Sequence, residues 1–125
     1  MLMCNILDHP QIKGRLNVAR IIPPTTEVLE LELEEAQGLD VTELVRLGTY
    51  RHLVAIDEDI NHYTRWRKTY KDTKYIITGD TLVEVTETYI TLTNSILKEL
   101  RRIKRGLLKE LEKESPKDYK AYTGH

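Results

Sequence analysis

The chain has 125 residues, 40% of them hydrophobic and 31% charged, with a formal net charge of -1. That length suits one domain, or one small domain with an extension, and the near-neutral balance excludes a uniformly basic nucleic-acid binder, so such a role must rest on local charge. The single Cys4 excludes a disulfide framework and a cysteine-built metal site, and a free thiol suits a reducing interior. No run of about 18 apolar residues is present, and no basic start followed by an apolar stretch opens the chain. The expectation is a cytoplasmic protein without a membrane span.

Charge is unevenly placed. Residues 10–22 hold Lys13, Arg15 and Arg20 and no acid, residues 27–43 hold seven acids and no base, and residues 65–74 and 98–113 are net basic. Residues 1–12 have no clear period and read as an N-terminal arm. From Gly14 to Ile22 the sequence GRLNVARII is apolar and β-branched up to the Pro23-Pro24 pair, which predicts a short strand rather than a helix. Alternation is imperfect, with Leu16, Val18 and Arg20 on one face and Arg15, Asn17, Ala19 and Ile21 on the other.

TTEVLELELEEAQG fits two periods. Leu29, Leu31 and Leu33 alternate like a strand, whereas Leu29, Leu33 and Ala36 make a helical stripe. A helix is the preferred reading: Thr25 or Thr26 can cap it, its acids favour the start, and Gly38 stands where a left-handed C-terminal residue belongs. The alternative is the second arm of a hairpin whose glutamates face Lys13 and Arg15. Asp40 opens the next helix, with Glu43 completing an Asp variant of the capping box and Leu39 stapling to Leu44.

The stripe Val41, Leu44, Val45, Leu47, Tyr50, Leu53, Val54 continues through Ile56, Ile60, Tyr63, Trp66 or Arg67, and Tyr70, predicting helix well past Leu53 with a break near Asp57-Glu58-Asp59. Gly48 inside it implies close packing. Thr78-Gly79-Asp80 reads as a turn, followed from Thr81 by a second stripe: Leu82, Val85, Tyr89, Leu92, Ile96, Leu100, Ile103, Leu107, Leu111. Two long helices joined by so short a turn should pack antiparallel. The aromatic residues Tyr63, Trp66, Tyr70, Tyr75 and Tyr89 are assigned to their core. Glu114 to His125, with Pro116 and Gly124, is expected to be a frayed tail.

Strand, turn, helix, Gly-Leu turn and helix, in that order, are the parts of a ribbon-helix-helix domain. The fold expected is therefore mostly α: one short N-terminal strand pairing across a dimer, two helices, then a long C-terminal antiparallel helical hairpin. It divides into an arm (1–12), the ribbon-helix-helix domain (13–53), the hairpin for oligomerisation and partner binding (54–113) and a tail (114–125). A lone strand leaves backbone groups unpaired, so two copies must pair. The resulting ribbon fits the major groove of duplex DNA. Arg15, Asn17 and Arg20 are the candidate base contacts, since Arg suits guanine and Asn adenine. Lys13 is a candidate phosphate contact, as are the backbone N–H groups near Val41 and Thr42. Arg101, Arg102, Lys104 and Arg105 form a candidate second basic patch. His9, His52, His62 and His125 have neither metal-ligand spacing nor a paired nucleophile, so no cofactor, metal or catalysis is expected. His52 and His62 are expected at helix surfaces or boundaries.

GLDVTELVRLGTYRHL resembles the second half of ribbon-helix-helix domains, where a Gly-apolar-Ser/Thr/Asp turn leads into an S/T-E-L-[IV]-R helix, here Thr42, Glu43, Leu44, Val45 and Arg46. The nearer resemblance is to plasmid mobilisation accessory proteins of the MobC/NikA type, with GDTLVEVTETYITLTNSILKELRRI similar to their closing helix. It covers about residues 14–111. The resemblance implies a non-catalytic relaxosome accessory factor that binds near a transfer origin as a homodimer, able to associate further, and recruits the relaxase. Within the same fold, a transcriptional repressor or antitoxin is the alternative. In another class, the alternative is a helical scaffold without DNA contact.

Overall fold

The computed structural model describes residues 23–124, so the arm and the strand expected over Gly14 to Ile22 lie outside the described residues. Within 23–124, four helices and a two-stranded sheet follow one another as α1 (Thr26–Gln37), α2 (Val41–Asp72), β1 (Tyr75–Thr78), β2 (Thr81–Glu84), α3 (Glu87–Glu114) and α4 (Pro116–Thr123). The mostly helical expectation and the antiparallel pairing of two long helices hold.

The Glu-rich segment takes the helical period. Leu29 and Ala36 are fully buried, while Leu31, which only a strand would place beside Leu29 and Leu33, is exposed. Two details of this helix differ from expectation. Thr25 occupies the N-cap position without a side-chain cap bond. Gly38 is right-handed (φ -85°, ψ -4°), because its N–H still bonds to the carbonyls of Glu34 and Glu35, both at 3.1 Å, and the chain turns only at Leu39-Asp40. Asp40 caps α2 as expected, its carboxylate accepting from the Thr42 N–H at 2.9 Å. Glu43, expected to close the capping box, instead pairs with Arg46 one turn on.

Helix α2 crosses residues 53 and 54 without interruption. Its departure from helical geometry is not at Asp57-Glu58-Asp59 but at Gly48 (φ 129°, ψ 94°). Close packing does not explain this glycine, since an added Cβ would meet only the Arg51 side chain at 3.7 Å or more. Its backbone angle does explain it, because residues with a Cβ avoid that region. The close approach falls at Gly106 in α3, where a Cβ would come within 3.0 Å of Val41 at the start of α2.

Between the long helices the structure places a β-hairpin where only a turn was expected. Tyr75–Thr78 pairs antiparallel with Thr81–Glu84 in the register Tyr75↔Glu84 to Thr78↔Thr81, around a two-residue loop in which Gly79 adopts φ 64°. β-branched residues make up three of the four positions of β1 and two of the four of β2, and the strand alternation wins over the helical spacing of Leu82 and Val85. The second long helix accordingly starts at Glu87 rather than Thr81. Ile76 is buried and Val83 half-buried, whereas Ile77 and Leu82, opposite each other on the outer face, are 67% and 65% exposed. Tyr75 is exposed on that face too, outside the core assigned to it; Tyr63, Tyr70 and Tyr89 lie inside, and Trp66 packs half-buried against them.

The core runs along the α2–α3 seam, with α1 laid against α3. Leu53, Ile56, Ile96, Leu97, Leu100, Ile103 and Leu107 are fully buried, each worth roughly 1.5–3 kcal/mol relative to exposure. Three cross-helix contacts set the antiparallel register: Thr49 with Glu114 at 3.2 Å, Asp57 with Lys104 at 2.8 Å, and Arg67 with Asn94 at 3.1 Å. The Tyr70 hydroxyl donates to the Pro24 carbonyl at 2.7 Å, tying the start of α1 to the far end of α2. Residues 116–123, expected to fray, form α4, with Pro116 at its first turn, Ser115 accepting from the Asp118 N–H, and left-handed Gly124 closing it. The Tyr119 and Tyr122 rings hold this helix against the core.

Candidate nucleic-acid interface

Lys13, Arg15, Asn17 and Arg20, the ribbon's candidate contacts, lie outside the described residues, as do His9 and His125. The other expected contacts can be placed. Val41 is half-buried against Gly106, and the Thr42 N–H is engaged by the Asp40 carboxylate. The start of α2 therefore has one of its first amides already satisfied from within the chain.

The candidate second basic patch lies on α3, whose two sides differ sharply. Ile96, Leu97, Leu100, Ile103 and Leu107 face the core, while steps of three and four residues carry Lys98, Arg101, Arg102, Arg105 and Lys109 along the exposed side. Arg102 pairs with Glu99 at 2.9 Å; Lys98, Arg101, Arg105 and Lys109 make no ion pair with a described residue. Lys104 does not belong to this row. It turns toward α2, binds Asp57, and its ammonium lies 5.8 Å from the Tyr122 ring centre. Sequence reasoning missed Lys98 and Lys109, although their spacing from Arg101 and Arg105 carries the signal.

A second row of cations lies on α2. Arg65, Lys68 and Lys71 are exposed and, with Thr64, Arg67 and Asp72, line a depression of about 340 Å³. Arg67 reaches from it to Asn94 on α3. Asn94, Lys98, Arg101 and Arg105 are four, three and four residues apart, so they share one stripe, and the two basic rows border the same side of the helical pair.

At the opposite end, α3 and α4 border an open cavity of about 830 Å³ lined by Asp57, Lys104, Leu108, Glu112, Tyr119 and Tyr122, among others. Tyr122 donates to Asp57 and meets Tyr50 edge-on at 6.1 Å. Burial first, then the hydrogen bond to Asp57 and the charges of Asp57 and Tyr50, push the Tyr122 phenol well above its ordinary value. This chemistry fastens α4 to α2. His52, expected at the surface, is 3% exposed. The kink puts the Gly48 carbonyl 2.7 Å from its Nδ1, which must carry the proton to donate there. Among the described residues no group of three His, Cys, Asp or Glu side chains could hold a metal, and no helix is long and apolar enough to cross a membrane.

No family model, curated protein or solved structure matches the chain.

Proposed function

We propose that the protein is a non-catalytic DNA-binding factor, acting as a homodimeric relaxosome accessory protein that binds near a plasmid transfer origin and recruits the relaxase. The observation that carries DNA binding is local charge in a chain of net charge -1: α1 holds five acids and no base, while Arg65 to Lys71 on α2 has cations and no acid, and Lys98 to Lys109 on α3 has cations with Glu99 as its single acid. The narrower relaxosome role rests on the sequence resemblance over residues 14–111. A helical scaffold is the second reading. It is favoured by the way α3 covers α1 and the start of α2 within one chain, burying Leu29, Ala36 and Leu44, faces that a ribbon-helix-helix dimer packs around its twofold axis.

Binding to a transfer-origin fragment, against a promoter fragment, separates these readings, with Arg20→Ala and Asn17→Ala beside the parent. An accessory factor binds the origin fragment more tightly and loses that preference in the variants. Preference for the promoter fragment indicates a repressor. Absence of binding to either fragment at moderate salt leaves the scaffold.

A further inference from the structure

The two basic rows make a surface whose chemistry suits one form of nucleic acid. From its geometry we infer that the α2–α3 side bearing Lys98, Arg101, Arg105 and Lys109, with Arg65, Lys68 and Lys71, grips the phosphate backbone of duplex DNA rather than single strands. The inference rests on the DNA-binding reading and specifies the ligand of that surface.

Single-strand binders pair a cationic groove with aromatic rings on which successive bases stack. Here the basic rows carry no strongly exposed ring. Trp66, between Arg65 and Arg67 on α2, is half-buried against the core, Tyr63, Tyr70 and Tyr89 are buried, and the strongly exposed rings among the described residues are Tyr50, held against Tyr122, and Tyr75, in the β-hairpin. None falls on α3 between Lys98 and Lys109. The cations themselves are carried on rigid helix. Lys98 to Lys109 spans about 16 Å at 1.5 Å per residue, equal to the axial rise of about five base-pair steps of 3.4 Å in a duplex. A flexible single strand gains little from such a fixed array, whereas a duplex presents its phosphates in fixed positions. Cations that make no ion pair with a described residue release counterions when they meet phosphate. Asp72, at the edge of the α2 depression, sits beyond the α3 row.

The test measures fluorescence anisotropy of the full chain with a labelled duplex of about two helical turns and with either strand alone, over a series of salt concentrations. The expected result is duplex binding about tenfold or more tighter than single-strand binding. In the Arg101→Ala/Arg105→Ala variant, duplex affinity should fall several-fold on every sequence, and the slope of log K against log salt should drop by about 2. Arg101→Lys/Arg105→Lys should keep the parental slope. Both residues are exposed, so circular dichroism should show an unaltered fold. Equal or tighter binding of the single strand overturns the duplex inference but leaves DNA binding standing. A parental slope in the alanine variant also overturns it, placing the contacts elsewhere. Failure to bind either form at low salt overturns both.

Discussion

The two ends of the α2–α3 pair are finished in different ways. At one end, contacts between residues far apart in sequence knit three helices together: Thr49 to Glu114, Tyr122 to Asp57, Lys104 to Asp57, and Val41 against Gly106. At the other, a local hairpin of two four-residue strands closes the link, and Ile77 and Leu82 are left facing out. The first end is held by tertiary packing, whereas the second adds a local hairpin to the Tyr70–Pro24 and Arg67–Asn94 contacts, and the two should respond differently to substitution.

The largest effect is expected within the knitted end. Leu107→Ala, at a fully buried position, should cost about 2–5 kcal/mol, read as a lower urea midpoint with unchanged slope. Gly106→Val comes next. Its side chain would be forced into Val41, and overpacking of this kind costs about 1–3 kcal/mol; a parental thermal midpoint would show that α2 and α3 can separate there freely. Alkaline pH acts on both ends. Burial, and then the nearby Tyr89, raise the Tyr70 phenol, and Tyr122 is raised likewise. A folded value above the unfolded one near 10 means their contribution is complete below about pH 10 and is lost as pH rises past it. A urea midpoint that stays level through that range would remove the burial argument. The smallest effect is expected at the hairpin's outer face, where Ile77→Thr with Leu82→Thr should stay within about 0.5 kcal/mol. A larger loss in a concentration-dependent melt would show that this face is covered by another copy.

The same contrast explains what could be read from the chain. Signals confined to a few residues were legible: the Asp40 cap, the Gly79-Asp80 turn, and the α1 and α3 stripes. Signals that depend on distant partners were not. Gly48 and Gly106 look alike in sequence, and only the approach of Val41 shows that the second is the packing glycine and the first a change of direction. Residues 75–84 carried two periods at once. The strand period won because a turn at Gly79 lets Ile76 and Val83 reach the core together, which a helix beginning at Thr81 would not do. The tail's helix was hidden because its stability comes from Tyr119 and Tyr122 packing on the core rather than from its own short sequence. Of the candidate interface, the charge on α3 was visible as composition. Its division into a solvent row and an inward-turned Lys104 needed the position of Asp57.

The break at Gly48 also divides α2 as a folding unit. Helix growth is cooperative only while the hydrogen-bond ladder runs on, and a segment of about two turns cannot sustain itself in water. Val41 to Leu47 is such a segment, so its persistence depends on the Asp40 cap and on its seat against Gly106. It should open together with α1 as a sub-global unit, ahead of the rest of α2. In native-state hydrogen exchange, amides from Thr26 to Leu47 should lose protection at a lower free energy than those of Leu53 to Tyr70. The glycine that bends the helix would then also set the order in which the molecule comes apart.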